Sequence, residues 1–307
     1  MLNLSSRLYA GEHDLQTLIN LLLAVRPPQW VADPPGVVDL REILSLSETQ
    51  ADTRLWHTQD GKLVAFAIVD AYNNLIFELD PRAAGPEMEA EIVGWGETCI
   101  RRRMQASGEQ ITLDASCRED NPERLSFLER HGFERLSQCS LHYARPLGDV
   151  IPEPTLPPGF TIRPSGGVDE VEAWVALHRA AFGTDHMTVE ERLAMLQAVE
   201  YELQTDLVVV APDGRLAAYC MVQISQEENQ RTGRNEGFTD PVACHPDYQK
   251  RGLGRALLLR GMHLLRERGI DTAVLATSSE NAAMQALAAS VGFEVTEARL
   301  WFAKPVA

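Results

Sequence analysis

Residues Asp240–Arg268 read DPVACHPDYQKRGLGRALLLRGMHLLRER, and three kinds of segment follow one another within them. Val242-Ala243-Cys244 is a short apolar piece built from strand formers. His245-Pro246-Asp247-Tyr248 is a turn, because proline fixes its own φ, lacks a donor and pushes the preceding residue into an extended shape. From Gly252 onward Leu253, Ala256, Leu257, Leu264 and Leu265 recur at helical spacing, and Gly269 stands where a helix stops. Gln249-Lys250-Arg251-Gly252-Leu253-Gly254 therefore lies at a strand-to-helix junction.

Such a junction has a chemical use. The first amides of a helix have no partner inside it, so they attract an anion, and glycines let a phosphate approach them closely. Lys250, Arg251 and Arg255 add positive charge locally, in a chain whose formal net charge is −16. A polyphosphate site is the expectation. No Gly-Lys-Ser/Thr follows, which excludes a Walker P-loop. The dinucleotide fingerprint also fails, since its third glycine would fall at Leu257.

The remaining pattern, Gln-x-x-Gly-x-Gly after a strand and a proline turn, resembles motif A of the Gcn5-related N-acetyltransferases, the GNAT family. Asn281-Ala-Ala-Met284-Gln-Ala-Leu287-Ala288-Ala-Ser-Val-Gly292-Phe293 resembles that family's motif B: an Asn after a strand, a short helix, then Gly-Phe leading into the next strand. The resemblance implies an α/β fold with a mixed, mostly antiparallel central sheet flanked by helices. It implies acetyl-CoA as co-substrate, its pyrophosphate held by Gln249, Lys250, Arg251, Gly252, Leu253, Gly254 and Arg255. Val242, Ala243 and Cys244 would pair with its pantetheine arm, and Asn281 would complete the coenzyme site.

The chain reads as a duplication. Leu63–Val69 follows a Gln59-Asp60-Gly61-Lys62 turn, and Leu216–Val222 follows Pro212-Asp213-Gly214-Arg215, each an Asp-Gly hairpin signal. Motif B recurs as Asn121-Pro-Glu-Arg-Leu-Ser-Phe-Leu128-Glu-Arg-His-Gly132-Phe133. Two landmarks in one order imply two tandem domains: a degenerate GNAT-like copy over 1–147, a proline-rich linker over 148–158, and a coenzyme-binding copy over 159–307. Aligning Asp80-Pro81 with His245-Pro246 sets Glu87 and Glu89 opposite Gly252 and Gly254. Carboxylates there repel a pyrophosphate, so the first copy should not bind the coenzyme in the family's manner.

A length of 307 residues suits two domains of about 150 each. Acidic balance argues against nucleic acid or an anionic membrane surface as partner and is compatible with a cationic, amine-bearing substrate. Five cysteines without a Cys-x-x-Cys pair suggest reduced thiols in a cytoplasmic protein. The histidines show no metal-ligand spacing, so no metal is expected. The opening Met-Leu-Asn-Leu has no basic region, and Leu18–Leu23 is too short to span a bilayer. A homodimer is a compatible assembly.

For transfer to a primary amine, a base must take the amine's proton. Asp240 and Glu236 precede the Val242–Cys244 segment at an even separation that puts both on one face of an extended chain. Asp240 is the nearer and the first candidate; its competing role is to cap the turn before Pro241. Many family members carry a Tyr just after the residue matching Leu287, where it protonates the leaving thiolate; here that position is Ala288. Tyr248, Tyr219 and Cys244 are the alternative acids. Trp174 is expected to pack in the core; His178 either packs there or borders the acceptor pocket, as the resemblance implies for its helix, and His186 is expected to line that pocket. The segment 223–236 reads as a polar hairpin tip, and Val295–Ala303 as the strand that completes the second sheet. The expected function is N-acetyl transfer from acetyl-CoA to a small amine; the alternative is a non-catalytic acyl-CoA-binding or regulatory module.

Overall fold

A computed structural model describes residues 4–30, 33–198 and 201–307. Met1, Leu2 and Asn3, part of the opening stretch without a basic region, lie outside the described residues. Two compact units divide the chain. One holds Met1–Ser140 with Gln230–Thr232 and Ala298–Ala307; the other holds Leu141–Asn229 and Gly233–Glu297.

In the first unit the order is β1 (Ser5–Leu8), α1 (Glu12–Val25), α2 (Val37–Ile43), α3 (Ser47–Ala51), β2 (Thr53–His57), β3 (Leu63–Val69), β4 (Leu75–Leu79), α4 (Pro86–Ser107), β5 (Thr112–Arg118), α5 (Pro122–Arg130) and β6 (Glu134–Pro146). Strands β1-β2-β3-β4 form an antiparallel sheet. All of β3 is buried, which its uninterrupted apolar run requires. Ala65, Ala67 and Val69 face the core built on α4, while Phe66 and Ile68 face α1 and α2. That is the period-2 alternation of a strand covered on both faces.

The second unit repeats the plan with β7 (Thr161–Pro164), α6 (Val171–Phe182), α7 (Val189–Leu196), β8 (Asp206–Val210), β9 (Leu216–Met221), α8 (Gln226–Thr232), β10 (Glu236–Phe238), β11 (Val242–Cys244), α9 (Leu253–Glu267), β12 (Thr272–Ser278), α10 (Ala282–Ser290) and β13 (Glu294–Pro305). Its antiparallel sheet runs β7-β8-β9-β11. Ala218 and Cys220 pack toward α9, and Val208, Tyr219 and Met221 toward α6. Five leucines on α9 (Leu253, Leu257, Leu258, Leu259 and Leu265) are 1% exposed or less; burying one such side chain contributes about 1.5–3 kcal/mol. Gly261 sits where α9 crosses the sheet most closely, since a Cβ there would lie 3.1 Å from Val222.

Three expectations meet a different outcome. Residues 226–232 form helix α8, not a hairpin tip: the Ser225 hydroxyl caps it through Glu228 N at 3.3 Å, and Gly233 ends it at φ 69°. The helix lacks an apolar stripe, so periodicity misses it, although both caps stand in the sequence. The last strand does not complete the second unit's sheet. From Arg299 to Pro305, β13 pairs antiparallel with β5 of the first unit, Arg299 against Arg118 and Pro305 against Thr112. Reciprocally, Leu141–Pro146 of β6 belongs to the second unit, where β6 neighbours β12. Compact units thus take Ala298–Ala307 with the first part of the chain and Leu141–Pro146 with the second. Nor is the proline-rich stretch a free spacer. Leu147 and Ile151 are buried in the second unit's core, Leu147 N donates to Asp271 O at 2.6 Å, and His263 Nε2 stands 3.2 Å from Pro152 O.

Candidate active site

In the second unit the sheet opens at one place. β10 pairs parallel with β12 from Glu236/Thr272 to Phe238/Val274, and Thr239 N still donates to Val274 O at 2.9 Å. Beyond that point the chain passes through Asp240 and Pro241 and joins β9 instead, as β11. Asp240 Oδ2 accepts from Ala276 N at 3.1 Å, so its carboxylate reaches across to β12 rather than only capping its own turn. Past this clasp β11 and β12 diverge.

The free edge of β11 has a definite polarity. Met221 N donates to Pro241 O, and His245 N to Ala217 O. Antiparallel pairs bond at alternate residues, so Ala243 also faces β9 while the amides of Val242 and Cys244 face the opening. The side chains of Val242 and Cys244 lie on the α9 side with Met284 and Leu287. Burial pushes the Cys244 thiol up to about 11.

The Gln249–Arg255 loop ends at this opening. Lys250 and Gly252 both take left-handed backbone, φ 61° and 80°, which turns successive amides inward. Among the described residues, the first-turn amides of Leu253, Gly254 and Arg255 donate to no protein acceptor; the first helical bond is Ala256 N to Gly252 O, 3.0 Å. A Cβ on Gly254 would meet Leu287 at 3.0 Å, so glycine lets the helix start lie against α10. Gln249 Nε2 donates to Cys244 O at 3.3 Å and ties the loop to β11. Tyr248 fixes it from behind by donating its hydroxyl to Asp213 of the β8–β9 turn at 2.8 Å. That bond and Arg215 hold the Asp213 carboxyl down at about 2. Three positive side chains and three open amides suit a polyphosphate.

The corresponding place in the first unit is closed. The short turn before α4 ends at Ala83 and the helix begins at Pro86, leaving two residues where the second unit has four, Gln249–Gly252. Counted from the helix start, Gly254 thus corresponds to Glu87, and Glu89 lies a half-turn further on. Pro86 has no amide proton to offer, and Glu89 is tied to Arg130 at 3.1 Å and His131 at 3.0 Å.

Residues 171–293 match the family model "Acetyltransferase (GNAT) family". The mycothiol acetyltransferase of Salinispora tropica is 34% identical over 271 residues, 85% of each chain. That of Saccharomonospora viridis is 27% identical over 190 residues, 60% of this chain and 62% of the relative, so the chain spans less than two thirds of that protein. The chain belongs to the GNAT family. Over its whole length it also superposes on the tandem GNAT protein from the clavulanic acid biosynthesis pathway, with a TM-score of 0.67, 16% identity and coverage of 100% and 99%; at that identity the likeness concerns the fold, a tandem GNAT architecture. Acetyl-CoA is the acyl donor of the family's acetyltransferases.

Other GNAT motif residues land less directly. Asn281 Oδ1 accepts from Met284 N at 3.0 Å and caps α10; Asn121 does the same for α5 through Arg124 N. Capping therefore accounts for this Asn in both copies, and in the second only its amide nitrogen is left to reach a ligand. Glu236 is not brought to the opening. It lies four residues upstream of Asp240, about 13 Å of extended chain, where β10 and β12 are still paired, and its carboxylate meets Arg234 at 3.3 Å. His186 is exposed on the loop between α6 and α7.

His178, for which the sequence left core packing and the acceptor pocket both open, lies on the α6 side of the sheet with Trp174 and Tyr219. His178 Nδ1 lies 2.7 Å from Tyr219 Oη, and the His178 ring stacks on Trp174 at 5.5 Å. Tyr219 stands opposite Ala243 of β11, on the α6 side of the sheet. Burial pushes the His178 imidazole below its ordinary value. Beneath them Arg192 and Asp206 form a buried ion pair, Arg192 also lying 4.0 Å over Trp174, and Ser165 and Tyr201 complete the carboxylate's partners at 2.6 and 2.7 Å.

Proposed function

We propose that the second unit transfers an acetyl group from acetyl-CoA to a primary amine of a small molecule. The observation that carries this is the juxtaposition of the open α9 start with a sheet edge whose Val242 and Cys244 amides are directed into the same gap. When bound, the coenzyme supplies a thioester susceptible to attack by an amine. Leu253, Gly254 and Arg255 amides, with Lys250, Arg251 and the Arg255 side chain, hold its pyrophosphate. Val242 N–H and Cys244 N–H are the donors for the negative charge that develops on the carbonyl oxygen. Asp240, at the apex of the gap, takes the amine's proton.

Ala288, where a Tyr often stands in the family, is fully buried in the α9 core and offers no proton. Cys244, protonated at neutrality and on the α9 side of β11, is the group we assign to protonate the leaving thiolate. Because thiols have a pKa of roughly 8.5, loss of the Tyr does not forbid reaction. The relatives named mycothiol acetyltransferase make a mycothiol-type amine the first acceptor to test. Five free cysteines support a reducing, cytoplasmic setting, and among the described residues no helix is long and apolar enough to cross a membrane.

The test is acyl transfer itself: thiol release from acetyl-CoA with mycothiol-type, amino-sugar and polyamine acceptors. Turnover is expected with at least one, and Asp240→Asn should lower kcat about 100-fold or more while leaving coenzyme affinity intact, since an amide oxygen still accepts from Ala276. Coenzyme binding without turnover on any acceptor would favour the non-catalytic module. Full activity in the Asn variant would remove Asp240 as the base.

A further inference from the structure

The first unit, closed to a pyrophosphate, contains a cavity of about 820 Å³. It fills the wedge between β4 and β5, parallel strands joined at an isolated bridge, Asn74 to Asp114, with Asp114 N donating to Asn73 O at 3.0 Å. Its charge is opposite to that of the chain. Overall the protein has 28 Lys and Arg against 44 Asp and Glu; the cavity is lined by arginines 26, 118, 124, 130 and 299 against Asp33, Glu78, Glu89 and Glu123.

The imbalance is sharper inside. Glu89 offsets Arg130 at the mouth. The four deeper guanidiniums, with side chains only 8–23% exposed, face Glu78 and Asp33, with Asp39 near Arg26 and Arg299. Arg26 and Arg124 share Glu78, at 2.7 and 3.3 Å. Arg299 pairs with Asp33 and donates to Ser116 Oγ at 3.2 Å. Arg118 is matched chiefly by Asp120, itself 56% exposed. Arg299 is 6% exposed as a residue, and among the described residues its buried Nε–H has no partner. An unmet donor on a buried cation is costly unless a ligand supplies the acceptor. Burial pushes the Arg124 guanidinium below its ordinary value, with Glu78 opposing and Arg26 and Arg299 adding to the shift. Beside these groups the wall is aromatic: Phe77 and Phe127 pack at 4.6 Å, Arg124 lies 3.8 Å over Phe77, and Arg118 5.5 Å over Trp30.

We propose that this cleft of the first unit is a second ligand site, selective for a small carboxylic acid with a flat apolar body. The carboxylate would meet the planar donor fork of Arg299 beside Arg118, geometry that a guanidinium matches better than an ammonium does. The body would lie against Phe77, Phe127 and Trp30. This site is independent of the acetyltransferase reading, because it uses no residue of the second unit's cradle or gap.

Benzoate is the probe, and benzamide its uncharged counterpart. Calorimetric titration of the full chain should give one saturable benzoate site at up to millimolar concentrations, with benzamide at least tenfold weaker. Arg299→Lys, which keeps charge and removes the fork, should weaken benzoate about tenfold. So should Arg118→Gln, which removes the partner of the exposed Asp120 and a longer contact to Asp33 at 3.9 Å; thermal unfolding of both variants establishes that they are folded. Equal binding of benzoate and benzamide, no saturable binding, or indifference to both substitutions would overturn the proposal. Displacement of benzoate by acetyl-CoA would also overturn it, by making the cleft a second coenzyme site.

Discussion

The starts of α4 and α9 occupy the same place in two copies of one fold and have opposite chemistry. At α9, four loop residues, two of them left-handed, deliver three open amides and three cationic side chains. At α4, two residues are missing, proline removes one amide, and glutamates occupy the first turn. Meanwhile β3 and β9, which hold the two sheets together, keep the same two-faced burial. A fold can thus shed its ligand site at one helix end without cost to its core, because the anion-binding groups are backbone amides that no packing contact requires.

Substituting Gly252→Glu together with Gly254→Glu should put carboxylates at the open start of α9, as Glu87 does at the start of α4, and have the largest effect. Acetyl-CoA affinity is expected to drop at least 100-fold, about 2.7 kcal/mol, from a wild-type stoichiometry of one per chain by calorimetry. Two equivalents in the wild type, or tight binding in the variant, would break the comparison at its root.

A smaller effect should appear on the α6 side of the second unit. Burial depresses the folded-state pKa of His178, so the neutral ring favours the folded state. Its contribution to stability is present above the unfolded value of about 6.5 and is lost as pH falls from there through the folded value. His178→Gln, which can still bond Tyr219, should therefore show a shallower fall in Tm between pH 7 and pH 5 than the wild type. Parallel curves would mean that His178 titrates as it does in the unfolded chain.

The smallest expected effect is none. Restoring Pro86→Leu and Glu87→Gly in the first unit should leave acetyl-CoA stoichiometry at one, because the loop before α4 remains two residues short. A second equivalent would show that charge alone, and not loop length, closed that site.

Much of this was legible beforehand, for identifiable reasons. Asp-Gly turns between apolar runs specify hairpins locally, and the Gly252-Leu253-Gly254 junction with its cations carries its chemistry in the residues themselves. Boundaries that depend on partner choice were not legible. The alternation in Val295–Ala303 says which side chains are buried but not which strand accepts the backbone, so β13 was assigned to the wrong sheet edge. Glu236 and Asp240 share a parity, yet only the point where β10 leaves β12 decides which of them faces the gap. The Phe77 and Arg299 walls of the first cleft are more than 200 residues apart in the chain, beyond any local pattern.

The traded final strands bear on how such a gene can evolve. Cutting the chain at the proline-rich stretch would strip β5 of its partner from Thr112 to Arg118 and leave an apolar edge carrying Leu113, Ala115 and Cys117, the kind that recruits other chains. The first half alone would keep β1-β2-β3-β4 but leave β5 without its partner. A copy that has lost its coenzyme cradle is therefore retained by its neighbour's architecture, and remains free to acquire a different ligand.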